Sequence, residues 1–208
     1  MLAAHVSHVA QIADGLADDG FAVVDHFLTD NEVEAILRMD EFNNALLHFK
    51  KAGIGNTQSR QINEAVRGDY IHWLDGKTAH PSVLVYYEKI MQLITHLNQS
   101  LFLSLKDVEL HLTTYPAGSF YKRHLDQFKA GDHRKVSVIL YLNKDWEKDT
   151  GGQLRIYPQS KQLDILPLAG RLVCLRSDAI EHEVLPATRE RLSITGWLLD
   201  QFVENKNP

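Results

Sequence analysis

At 208 residues the chain suits one domain and is long enough to bury a sizeable core, which its 44% hydrophobic content supports. A net charge of -5 and a pI near 6.1 exclude the basic field that would draw nucleic acid or an anionic membrane, so neither is an expected partner. The single cysteine, Cys174 in RLVCLRSD, excludes an internal disulfide and a cysteine-rich zinc site; with no basic-then-apolar leader and no run of membrane-spanning length, the expected setting is the cytoplasm.

In chain order, apolar spacing predicts a helix over residues 3–17 and then the strand FAVVDHF. Thr29-Asp30 can cap a helix through NEVEAILRMDEFNNALLHF, because Glu32 stands three residues after Thr29 as a capping box requires. Residues 50–66, KKAGIGNTQSRQINEAV, are polar with little periodicity and read as a long loop. The next helix fits HPSVLVYYEKIMQLITHLNQSLF, where Val83, Tyr87, Ile90, Met91 and Ile94 recur at helical spacing. From residue 107 the period falls to two, in DVELHLTTYP, SFYKRHLD, RKVSVILYLNKDW, GGQLRIYP, QLDILPLAG, RLVCLRSD, HEVLPA and RLSITGWLL. Eight short strands between turn signals such as PAG and DTGG predict a sandwich or closed barrel, with the earlier helices as a buttress on one outer face. The fold class expected is mainly β with helical support (α+β), in a single domain over 1–208: residues 1–106 mostly helical, 107–200 the stranded core.

In the stretch YKRHLDQF, His124 and Asp126 are two apart, so an extended chain turns both to one face. The pair alone says little, since chance supplies roughly one His-x-Asp in a chain with this many histidines and aspartates, and a polar strand face is the plain alternative. His182 starts a later strand that a jelly roll would bring back opposite His124. Two histidines and a carboxylate on one face of an octahedron leave three positions open, the arrangement of non-haem iron(II) oxygenases. A keto-acid cosubstrate needs its far carboxylate held, and arginine's planar fork suits that task even when buried. Arg191 stands nine residues after His182 and shares a strand face with Ser193, Thr195 and Trp197, while Tyr141 shares one with Ser137 and Ile139. Arg189 is the competing arginine, which the turn at Pro186-Ala187 turns toward solvent. Tyr115, Tyr121 and Tyr141 can equally be packing aromatics, and Trp197 core. Arg67-Gly68-Asp69 reads as a local turn held by its own ion pair.

These segments together resemble one family. RGDYIHWL, Tyr115-Pro116 with YKRHLD, YLNKDW with GGQLRIYP, the SD before HEV, and RLSITGW are similar, over about residues 65–198, to the iron(II)- and 2-oxoglutarate-dependent prolyl 4-hydroxylases of the hypoxia-inducible-factor type and their bacterial relatives. Arginine at 191, where collagen-type enzymes commonly use lysine, and Trp197, where nucleic-acid demethylases carry a second arginine, both favour that branch. The resemblance implies a double-stranded β-helix (jelly roll) and iron held by His124, Asp126 and His182. It implies a salt bridge from Arg191 to the 2-oxoglutarate 5-carboxylate, with Tyr141, Tyr115 and Thr195 at the cosubstrate. Tyr121, Arg134, Trp197 and Arg67 would face the substrate, and the segment from Lys51 to Trp73 resembles a mobile substrate-covering loop, although its polar part departs from the animal sequences. The expected activity is that of a procollagen-proline-type 2-oxoglutarate 4-dioxygenase using Fe(II), 2-oxoglutarate and O2, with ascorbate as a further cofactor. The expected partner is a proline-containing protein or peptide, with elongation factor Tu as the candidate through the bacterial relatives, and the expected state is a monomer. Two alternatives are an oxygenase acting on free proline or another small molecule, and a non-catalytic jelly-roll metal-binding module.

Overall fold

Long alternating segments far apart in sequence can bury both faces only by pairing with one another, and the three longest strands do so at the centre of the molecule. In the computed structural model, which describes residues 2–53, 63, 65–127 and 133–202, β11 (Arg191–Leu199) lies antiparallel between β4 (Asp107–Tyr115) and β6 (Arg134–Tyr141). The sheet extends through β9 (Leu172–Arg176) to β1 (Phe21–Val24) on one side, and through β3 (Tyr70–Leu74) to β2 (Lys50–Lys51) on the other, giving seven strands in the order β1-β9-β6-β11-β4-β3-β2. A second sheet of four short strands, β5 (Tyr121–His124), β10 (His182–Val184), β7 (Leu154–Ile156) and β8 (Leu163–Ile165), has the order β5-β10-β7-β8. All eight expected strands are present, and the two-sheet arrangement is the expected jelly roll.

Alternation divides the core in two. On one face of the large sheet Leu110, Leu112, Val138, Leu140, Ile194 and Leu198 pack with apolar residues of α1 (Leu2–Asp18) and α5 (Pro81–Leu101), so the helices buttress the outer face as expected. On the other face Tyr115, Ile139, Tyr141, Val173 and Leu175 meet Leu154, Ile156, Ile165 and Val184 of the small sheet, and the site lies at the edge of this inner layer.

Three local expectations are corrected. The helix expected through Phe49 breaks into α2 (Asp30–Leu37), α3 (Asp40–Asn43) and α4 (Ala45–His48). Thr29 and Glu32 form the expected capping box at the start, but Asn44 leaves helical geometry and bonds the Asp40 carboxylate at 2.5 Å, a side chain competing with the helix for its hydrogen bonds. Tyr70–Leu74, the end of the expected covering loop, is a full strand of the large sheet, paired with β4. Within that loop residues 54–62 and 64 lie outside the described residues, as does Phe128 of YKRHLDQF. Met91 lies at the margin of the α5 stripe and is 45% exposed, while Tyr86, Leu93 and Leu97 carry the packing instead. No helix among the described residues is long and apolar enough to cross a membrane.

Candidate active site

The small sheet brings the two histidines together by register: β10 pairs with β5 so that His182 stands opposite His124. Each ring is oriented by its own chain, with Nδ1 of His124 2.7 Å from the Lys122 carbonyl and Nδ1 of His182 3.1 Å from that of Ile180. A carbonyl only accepts, so each Nδ1 carries the proton and each Nε2 presents a lone pair. Both lone pairs face Asp126, just beyond β5, whose carboxylate oxygens are 3.5 Å from His124 Nε2 and 3.7 Å from His182 Nε2. Ser137 donates to Asp126 at 2.6 Å and is itself 2.9 Å from Ser177, which fixes the carboxylate's orientation.

The electrostatics match a cation site. Burial pushes the His182 imidazole down to about 4, against the opposing pull of Asp126, so the ring is neutral at pH 7. Burial alone would raise Asp126, but positive charge at His182 and His124, together with the Ser137 hydroxyl, holds its carboxyl far below the usual range, so the ionised carboxylate calls for positive charge at this spot. Lone pairs facing a buried carboxylate repel until a cation sits among them, and one donor atom from each of the three residues lies within 4.8 Å of the others. Two imidazoles with Nε2 turned to one carboxylate therefore fit a divalent metal such as iron(II).

The second feature is a buried cation. Arg191 opens β11 and is 2% exposed; its Nε donates to the Gly152 carbonyl at 3.0 Å and its Nη2 to the Tyr141 hydroxyl at 3.3 Å. The guanidinium lies 5.1 Å from the Tyr115 ring centroid and 4.9 Å from that of Tyr141. Among the described residues no carboxylate pairs with it, and a buried, uncompensated charge calls for an anion. Gly152 makes the cradle possible: it sits at φ +70°, and a Cβ there would come within 2.8 Å of Trp146 and 3.0 Å of Ala187. From Arg191 the inner row of β11 runs through Ser193 and Thr195, whose hydroxyls are 3.1 Å apart, to Trp197, opposite the Ser137 that holds Asp126. Arg189 is exposed, over the Trp146 ring, as expected.

The remaining expected residues gather at the open end. Tyr121 stacks on His124 with ring centroids 3.6 Å apart and planes at 17°. They share a face despite their odd spacing because the β5–β10 register shifts between His182 and Val184, a bulge that absorbs one residue. Arg67 lies over Tyr121 at 4.3 Å, binds Asp69 through two hydrogen bonds of 2.7 and 2.5 Å, and donates to the Gly53 carbonyl at 3.2 Å. The Arg-Gly-Asp turn is thus held by its own ion pair, with Asp69 fully buried. Arg134 lies 3.5 Å above the Trp197 ring and 3.5 Å from Glu109. Sequence reasoning gave no role to Ser137, Gly152, Trp73 or His111; the last faces inward on β4 opposite Thr195, 5.0 Å from the Trp73 ring and 5.6 Å from the Trp197 ring.

A double-stranded β-helix with two histidines and a carboxylate at its mouth and a buried arginine within defines an oxygenase of the 2OG-Fe(II) class, and the sequence profile of the 2OG-Fe(II) oxygenase superfamily matches residues 110–199. The crystal structure of a Pseudomonas putida prolyl-4-hydroxylase is 38% identical, superposes with a TM-score of 0.84, and covers 93% of this chain and 100% of that one. A prolyl hydroxylase from Trichoplax adhaerens, solved in complex with a hypoxia inducible factor oxygen degradation domain peptide fragment, gives the same TM-score at 28% identity, covering 96% and 92% of the two chains. The human protein Egl nine homolog 1 is 34% identical over 196 residues, which cover 87% of this chain; the match spans 44% of the human protein's length. The chain belongs to the prolyl hydroxylase family, which identifies its cofactors as iron(II), 2-oxoglutarate and dioxygen.

Proposed function

We propose that the protein is a single-domain prolyl 4-hydroxylase of the hypoxia-inducible-factor branch, acting on a proline within a protein. The observation that carries this is the convergence on one inner face of the His124–Asp126–His182 donors and the unpaired, buried Arg191. His124, Asp126 and His182 would hold iron(II), which when bound supplies the activation of dioxygen. Arg191 and Tyr141 bind the 5-carboxylate of 2-oxoglutarate, Tyr115 and Thr195 line its path, and the low-dielectric inner layer excludes water from it. The balanced reaction converts 2-oxoglutarate, dioxygen and prolyl C–H into succinate, carbon dioxide and prolyl C–OH. Tyr121, Trp197, Arg134 and Arg67 border the mouth where the acceptor enters. The Trichoplax relative's peptide complex supports a peptide acceptor, and the resemblance to bacterial prolyl hydroxylases makes elongation factor Tu the first protein to test. We place the reaction in the cytoplasm, in a monomer, with ascorbate as reductant.

Anaerobic titration with iron(II) and then 2-oxoglutarate tests the reading. A visible metal-to-ligand charge-transfer band is expected in the native protein and is lost in Asp126→Ala and Arg191→Ala; no band in the native protein would overturn it. Turnover of elongation factor Tu and of proline-containing peptides, set against free proline, separates the protein acceptor from the small-molecule one.

A further inference from the structure

The wall of the mouth beside the metal donors is an aromatic shelf laid across three strands. Trp73 on β3, His111 on β4 and Trp197 near the end of β11 face the same way, with ring centroids 5.0 Å apart for Trp73 and His111, 5.6 Å for His111 and Trp197, and 6.3 Å for Trp73 and Trp197. Such a shelf suits a saturated ring, which needs only apolar contact. Two polar groups stand in it for which a prolyl ring has no use. The indole Nε1 of Trp197, on a side chain 9% exposed, is buried without a hydrogen-bond partner among the described residues. His111 is 3% exposed, and its Nδ1 lies 2.8 Å from the Thr113 hydroxyl. Among the described residues no hydrogen bond joins it to either tryptophan. Burial, with Arg67 and Arg134 nearby, pushes it down to about 4, so it faces the mouth as a neutral imidazole.

A buried donor left unmade is costly, and its persistence points to a group that arrives with a ligand. That group must accept from Trp197 and be able to meet the His111 ring, which already touches the Thr113 hydroxyl and the Leu112 backbone, in whichever tautomer those contacts select. A hydroxyl meets both demands, since it donates once and accepts twice, and two hydrogen bonds of about 2.9 Å can bridge rings this far apart. A proline ring carries no such group; a 4-hydroxyproline ring does.

We propose that His111 and Trp197 form a subsite for the hydroxyl of the hydroxylated residue, so that the mouth holds the product ring more tightly than the substrate ring. This rests on the prolyl hydroxylase reading and assigns His111 a part in the site that the metal and cosubstrate residues do not share. The two hydrogen bonds exist only once the oxygen is on the ring, so they favour late stages of turnover and slow release of product.

The test is equilibrium dialysis of the intact protein, loaded anaerobically with manganese(II) and 2-oxoglutarate, against two pools of blocked random-sequence heptapeptides, one with central proline and one with central trans-4-hydroxyproline. The hydroxyproline pool should be retained roughly five- to tenfold more than the proline pool, the yield of one or two net hydrogen bonds. His111→Phe and Trp197→Phe should each bring the ratio toward one, and His111→Gln, which keeps hydrogen-bonding atoms, should restore part of it. Equal retention by the native protein, or a ratio that survives both Phe substitutions, would overturn the subsite while leaving prolyl hydroxylation standing. Retention of neither pool by a protein that still shows its charge-transfer band with iron(II) would overturn the peptide reading along with the subsite.

Discussion

Ser137 is one hydroxyl with two duties: it donates to Asp126 and touches Ser177, and so decides which carboxylate lone pairs face the two imidazoles. Removing it in Ser137→Ala leaves the three ligands in place but unfixes one of them. Partners of this kind are worth about ten- to a hundredfold in metal affinity, so iron(II) titration should show a loss of that order with the fold intact by circular dichroism. His111 gives a second residue-scale prediction through its proton. Its folded value of about 4 lies below the ordinary 6.5, so as pH falls the unfolded chain takes up the proton first. The stabilisation is complete above pH 6.5 and is lost as pH falls toward 4, by at most roughly 3 kcal/mol. Urea denaturation of the metal-free protein between pH 7.5 and pH 4 should show that loss on top of the one buried His182 adds, and His111→Met should flatten the curve by about one proton.

At the scale of elements, the turn between β6 and β7 is as important to the arginine as the strand that carries it. The Gly152 carbonyl accepts from Arg191 Nε, and its φ of +70° and crowded surroundings exclude any side chain. Gly152→Ala should therefore shift the turn and weaken 2-oxoglutarate binding by at least about tenfold in anaerobic titration, while iron(II) binding alone changes little. The sequence makes strands legible where alternation is local, and all eight segments from Asp107 onward are strands as read. Tyr70–Leu74 escaped because it is short and its partner, β4, lies some forty residues on. The break at Asn44 escaped because the apolar rhythm continues past it while an amide side chain competes with the backbone. In the candidate site, residue type and spacing raised His124, Asp126, His182 and Arg191 one by one, and it took the family resemblance to draw them into one set. Ser137, Gly152 and His111 were not, because their roles depend on which strand or turn lies beside them, and cross-strand register is not written in local spacing. Tyr121 falls on the face of His124 only through a bulge that no alternation rule contains.

At the scale of the whole molecule, Arg191 is a charge that the inner layer buries but does not neutralise. Without an anion the fold carries that cost, and with manganese(II) and 2-oxoglutarate at a hundred times the dissociation constant it should gain about 2.7 kcal/mol, or roughly 5–10 °C in melting temperature. Calorimetry under nitrogen should show the shift in the native protein and its loss in Arg191→Met. That variant should also be at least as stable as the native chain when both are free of ligand, since an apolar side chain of similar volume replaces an unpaired buried cation. An anion that completes the core also governs how often the chain opens to proteases. Supply of the keto acid should then slow proteolysis of the native protein, and leave Arg191→Met unprotected.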